Sequence, residues 1–321
     1  MDQKLLIDAA RTMVTILGAL VVGYGLRKTG RVGEHLGPAV NRFTLIWGQP
    51  VVIGVALWAM RPPDLRTLAL PLHGAAMMVL AWPLSALVAR VLPMDRPALG
   101  AFVGSAVFSN VGFTFGAFLA FVAVGAQGAA LGSVYCISFM PLFFTLGFFL
   151  ARRYSALEQE GAMASLVSQF RDAETRNPTL GILAGLLLNI LRVPAPSQSP
   201  FFIDIAMPAT TAAFLLAIGL SLRLSAVRVY WRECALMHAV KFVILPALGL
   251  ALAAALGYWQ IGDHTLLRVA FIESATPVAI MSVMLAQVFD LNVPLAGALW
   301  LTTNLTATLM APVILLLARM L

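Results

Sequence analysis

The sequence predicts an all-α polytopic membrane protein with ten transmembrane helices in two inverted five-helix repeats, helices 4 and 9 being broken and crossing. Three observations lead there. Hydrophobic residues make up 60% of the chain and charged residues 11%, and the mean hydropathy of +0.91 excludes an ordinary soluble domain. Apolar runs of membrane-crossing length follow one another from end to end. Residues of matching type recur at a nearly constant offset between the two halves.

A span of the hydrocarbon core takes about 20 mostly apolar residues. On that measure the spans are Ala9–Leu26, Ala39–Met60, Leu68–Leu92, Ala98–Val124 and Ala129–Leu150, then Pro178–Leu191, Ile203–Leu224, Ala235–Trp259, Leu266–Phe289 and Leu295–Met320. Met1-Asp2-Gln3-Lys4 is not a basic leader before a cleavage site, so the first run is expected to be a retained helix. The sixth span is short, squeezed by Pro194 and Pro196. Residues 1–151 then form the first five-helix repeat, 152–177 a cytoplasmic loop of mixed charge, and 178–321 the second repeat.

The repeat rests on position. His73 and His238 are 165 residues apart, as are Ser109 and Ser274; Leu150-Ala151-Arg152 returns 167 residues later as Leu317-Ala318-Arg319. Pro83 in span 3 answers to Pro246 in span 8. A unit with an odd number of spans lies inverted relative to its copy, and inverted repeats with discontinuous helices mark secondary transporters.

Basic residues sort by face. Arg27, Lys28, Arg31, Arg42, Arg90, Arg96, Arg152, Arg153, Arg171, Arg176, Arg223, Arg228 and Arg232 fall on one side. Lys4, Arg11, Arg61, Arg66, Arg192, Arg268 and Arg319 fall on the other. The positive-inside rule puts the larger group in the cytoplasm and both termini outside, as for a multi-pass protein of a plasma membrane, the bacterial inner membrane. The net charge of +7 is thus assigned to loops at the lipid surface and not to nucleic acid. Cys136 and Cys234 sit in different spans and read as small apolar fillers.

Span 4 carries Ser109-Asn110-Val111-Gly112 in a run without charge. Either this is a helix-packing contact of small polar residues, or it is an interrupted helix whose freed backbone lines a binding cavity. Its partner by the repeat is Glu273-Ser274-Ala275-Thr276-Pro277 in span 9, where Pro277 removes a backbone donor and clashes with the carbonyl of Glu273. Two breaks at related places favour the cavity reading. Amino-terminal half-helix ends would attract an anion, and carboxyl-terminal ends a cation. The candidate substrate-binding residues are Asn110, Val111, Gly112, Ser274, Ala275, Thr276, Pro277 and Asn304. Candidates for a cation, Na⁺ or H⁺, are Ser109, Asn110, Ser133, Ser138 and Glu273. Glu273 has a plainer alternative, pairing with Arg268 or reaching the outer surface.

Other polar residues have plain readings. Ser133, Ser138, Thr302 and Thr303 could instead bond their own helix backbone. Lys241 is expected to snorkel to the cytoplasmic interface, with an anion contact as the alternative. His73 and His238 are expected to be hydrogen-bonded structural histidines. No zinc pattern, carboxylate pair for Mg²⁺, nucleophile elbow or phosphate loop is present, so neither an intramembrane enzyme nor an ATP-driven pump is expected. A channel would need a continuous polar lining.

Several of these stretches resemble the auxin efflux carrier family, in its bacterial permease branch. They are Gly23-Tyr24-Gly25-Leu26-Arg27-Lys28-Thr29-Gly30, Asn41-Arg42 before Pro50, Ser109-Asn110-Val111-Gly112-Phe113, Asn177-Pro178 with Gly185-Leu186-Leu187-Leu188-Asn189, Gly219-Leu220-Ser221-Leu222 and Ala275-Thr276-Pro277. The resemblance implies a scaffold of helices 1, 2, 6 and 7 and a moving transport body of helices 3–5 and 8–10, working as an elevator. It implies small organic anions such as malate, malonate or an auxin-like acid as substrates, and a homodimer through the scaffold. The proline often found after Asn-x-Gly-Phe is missing here. The chain is also similar to the bile acid/sodium symporter family, which sets Ser-Asn of helix 4, hydroxyls of helix 5 and Glu of helix 9 around one sodium. That comparison implies Ser109, Asn110, Ser133 and Glu273 as ligands, and makes a sodium-coupled symporter of a larger amphipathic acid the alternative function. Pro277 stands where that family has a Gln, four residues after the Glu.

Overall fold

The computed structural model describes residues 18–30, 32–33, 36–60, 66–112, 115–155, 173–221 and 225–321. Among these, regular structure is helical except for one isolated antiparallel bridge, Ser109 to Val278. The first half of the expected span 1, Phe113, and the middle of the 152–177 loop lie outside the described residues, as do the basic residues at the amino terminus used to orient the chain.

The helices are α1 (18–28), α2 (Leu36–Phe43, a π-turn Thr44–Gly48, then Gln49–Ala59), α3 (Thr67–Ala89) and the pair α4a (Arg96–Val107) and α4b (Phe115–Val124). They continue with α5 (Ala126–Tyr154), α6 (Ala173–Ile190), α7 (Ser199–Ser221) and α8 (Trp231–Ala255). The pair α9a (Thr265–Ser274) and α9b (Ile280–Val288) precedes α10 (Val293–Met320). Five of them, α3, α5, α7, α8 and α10, are long and apolar enough to cross a membrane. Ile46–Ala59 and Phe115–Val124 are shorter apolar helices. The chain is a polytopic membrane protein.

Starts and distortions follow from local chemistry. Asp95 caps α4a by accepting from Ala98 N at 2.8 Å, and Asn292 caps α10 by accepting from Leu295 N at 3.0 Å. Pro50 has no N–H to offer the Ile46 carbonyl four residues back, and α2 carries its π-turn just before it. Asn177 Nδ2 of α6 donates to that Ile46 carbonyl at 3.0 Å. Asn189, three turns on, donates to the Trp58 and Met60 carbonyls where α2 ends.

Small residues set the spacing of α1, α2, α6 and α7. A Cβ on Gly185 would overlap the Gly54 carbonyl, one on Gly181 the Pro50 carbonyl, and one on Gly219 the Leu20 carbonyl. The backbones therefore touch.

The connection before α6 is shorter than the sequence implied. Arg152 and Arg153 form the last turn of α5, since no breaker separates them from Phe148. Asn177 and Pro178 lie inside α6, where the proline leaves the carbonyl four residues back without its helical donor.

Candidate functional site

α4a stops at Val107. Phe108 is extended (φ −97°, ψ 111°), and Gly112 takes φ +59°, a left-handed value that favours glycine. α9a stops at Ser274, and Pro277 explains why: it would strip the Glu273 carbonyl of its helical donor. Thr276 Oγ1 supplies a substitute, donating to Glu273 O at 2.8 Å.

The two interruptions run antiparallel against each other. Asn110 N donates to Pro277 O at 2.7 Å, and Ala279 N donates to Phe108 O at 2.9 Å. α10 finishes the arrangement. Thr303 Oγ1 accepts from Val278 N at 3.2 Å, and Asn304 Nδ2 donates to Val278 O at 2.9 Å. Asn110 Nδ2 donates to Asn304 Oδ1 at 3.2 Å. Each break thus supplies hydrogen-bond partners for the other, which a buried non-helical backbone requires in a membrane.

Among the described residues, Glu273 and Lys241 are buried at this junction. Glu273 is 1% exposed and its Oε2 accepts from Gly112 N at 2.9 Å. Gly116 and Gly132 complete a cradle, for a Cβ on either would run into the carboxylate. No ion pair to Arg268 forms, and Oε1 has no hydrogen-bond partner among the described residues. Lys241 is fully buried, and its Nζ donates to Ala106 O at 2.8 Å and Ser109 Oγ at 2.7 Å. The snorkelling expected of Lys241 is corrected: α8 carries a π-turn, Val240–Ile244, ahead of Pro246, and the lysine lies within it and bonds α4.

Ammonium and carboxylate sit at opposite poles of the broken α4. Lys241 meets the Ala106 carbonyl in the last turn of α4a, where the helix dipole favours a cation, and Glu273 meets the Gly112 amide ahead of α4b, where it favours an anion. A helix pole is worth at most about 2 kcal/mol in partly buried settings. Burying an ion costs several kcal/mol, which the poles alone do not offset.

The structure therefore gathers Ser109, Asn110, Val111 and Gly112 with Glu273, Ser274, Ala275, Thr276, Pro277 and Asn304. It treats the two α5 serines differently. Ser133 Oγ donates to Ala129 O of its own helix at 2.8 Å. Ser138 Oγ is buried without a partner among the described residues and lies toward Gly74 of α3. His238 bonds Cys234 O and Thr306 Oγ1 as a structural histidine should. His73 does not: buried between Tyr135 and Tyr258, neither of its ring nitrogens has a partner among the described residues. A cavity of about 20 Å³, room for one water-sized body, is lined by Ser109, Val111, Glu273 and Ser274 with Met77 and Tyr135 among its walls.

Broken helices paired across a buried junction recur in secondary transporters, and a family profile points the same way. The profile described as Membrane transport protein, of auxin efflux carrier type, matches residues 8–315. The chain belongs to this family. No curated protein matches it significantly.

Within this membrane transport protein, the sequence left Lys241, Gly116 and Gly132 out of the site, while Thr303 both donates to Leu299 O of its own helix and accepts from Val278 N. Lys241 carried a signal, a lysine five residues before a proline inside an apolar run. The glycines carried none, because a small residue in a membrane helix has many uses.

Proposed function

We propose that this protein is a secondary transporter of a small organic anion, a mono- or dicarboxylate, working by alternating access about the α4–α9 junction. The observation that carries the reading is the antiparallel pairing of the two breaks, Ser109 against Val278, around a buried Glu273 and Lys241. Unwound backbone at such depth is tolerated where it serves a site. The anion is assigned to the Asn110, Asn304 and Thr276 side of the junction, at the amino-terminal pole of α9b. In the present conformation that side is closed, Thr276 being fully buried.

The ten-span, inverted-repeat arrangement belongs to this proposal, as do the bacterial inner membrane and the outward termini. The backbone contacts among α1, α2, α6 and α7 support a rigid scaffold. The elements α3–α5 and α8–α10, tied together through the junction, would then be the moving body of an elevator. A homodimer would form through the scaffold.

The test is counterflow. Purified protein in liposomes loaded with unlabelled malate or malonate should accumulate the labelled acid transiently, and Asn110→Ala should abolish this while the protein still purifies as a folded species. Labelled acid that only equilibrates would mark a channel, and chemically altered acid an enzyme.

A further inference from the structure

We infer that the Lys241 ammonium is the carrier's own cation at the junction, filling the cation position at the carboxyl pole of α4a, so that the transport cycle runs without Na⁺ or K⁺. This rests on the transporter reading. The pole of a broken helix offers carbonyl oxygens to a positive charge, and here Ala106 O is taken by the lysine. Nζ binds Ala106 O and Ser109 Oγ, the oxygens a metal cation would also need. Ser109 is the first of the residues a cation would use, and Ser133 Oγ is turned onto Ala129 O. The lysine is fully buried, so its head does not exchange with the surface. Because it is covalently held in α8, which packs with α4a and α9a, the charge travels with the site instead of being loaded from solution.

Removing the ammonium should leave a vacant cation position. The experiment measures melting and malate counterflow in NaCl, KCl and N-methyl-D-glucamine chloride, for the wild type, Lys241→Ala and Lys241→Gln. Wild-type melting and counterflow should be the same in all three salts. Lys241→Ala should lose at least about tenfold in counterflow in N-methyl-D-glucamine. Methylammonium or Na⁺ should restore part of that loss and raise the variant's melting temperature by about 3 °C, with no such rise in the wild type. A wild type stabilised or driven by Na⁺ overturns the inference. So does a folded Lys241→Ala or Lys241→Gln that is fully active in N-methyl-D-glucamine, or a folded, inactive Lys241→Ala that no small cation rescues or stabilises. If neither variant folds, the wild-type salt series alone decides. A wild type with no counterflow of any acid fails the transporter reading and leaves the melting comparison to judge Lys241.

Discussion

Glu273 Oε2 accepts the Gly112 amide at 2.9 Å, so the acid of one broken helix satisfies the backbone of the other. Charge and hydrogen bonding at this contact can be separated. Glu273→Gln keeps an acceptor for the Gly112 amide and removes the ionisable carboxyl group. It should retain close to wild-type melting and lose transport. Glu273→Ala orphans a buried amide, which costs about 1–3 kcal/mol, and should lower the melting temperature as well. Thermal unfolding beside a counterflow assay checks both; a Glu273→Gln carrier with full transport would show the charge to be dispensable.

The cradle makes an unusual demand of two helical glycines. In an exposed helix, Gly→Ala gains about 1 kcal/mol. At Gly116 and Gly132 the added methyl would strike the Glu273 carboxylate, and overpacking costs about 1–3 kcal/mol. The clash should win. Gly116→Ala and Gly132→Ala should each destabilise the protein and reduce transport. Gly25→Ala, where nothing lies within 4 Å of the new methyl, should do neither.

Much of this was legible in the sequence, and the exceptions have physical reasons. Hydropathy identifies a membrane protein because a bilayer imposes composition on everything it contains. The break at Pro277 was legible because proline's missing donor acts locally, on the Glu273 carbonyl. Asn110 was legible from the cost of an amide in hydrocarbon. Lys241 was misjudged because snorkelling and burial begin from the same stem; only the π-turn ahead of Pro246 and the position of Ala106 decide which occurs. The direction of Ser133 was equally hidden, since one hydroxyl can serve its own helix or a ligand. Glu273 next to Gly112 spans 161 residues, and no local pattern announces such a contact.

Asn110 and Asn304 should behave as one unit. Asn110 Nδ2 donates to Asn304 Oδ1, and Asn304 in turn holds the Val278 carbonyl. Each alanine substitution alone should abolish or sharply reduce transport and lower stability. Together they should cost less than the sum, with a coupling of about 0.5–3 kcal/mol in a double-mutant cycle on unfolding. Strict additivity would mean that the amide pair is not what links α10 to the breaks.

Away from the junction, the scaffold offers a rescue experiment. Pro50 leaves the Ile46 carbonyl without its helical donor, and Asn177 Nδ2 fills the place from α6. Asn177→Ala should therefore expose an unsatisfied carbonyl in a membrane helix and lower stability by about 1–3 kcal/mol. Pro50→Ala restores an N–H four residues after Ile46, so in that background the helix can satisfy its own carbonyl. Asn177→Ala should then cost markedly less than it does beside the proline. The sign of the coupling is what discriminates. If Asn177 acts only by filling space between α2 and α6, removing Pro50 leaves its penalty unchanged; if it acts as the substitute donor, the penalty shrinks. Denaturant titration of the four proteins measures this directly, and because Asn177 and Pro50 lie outside the junction, any loss of transport should follow the loss of stability.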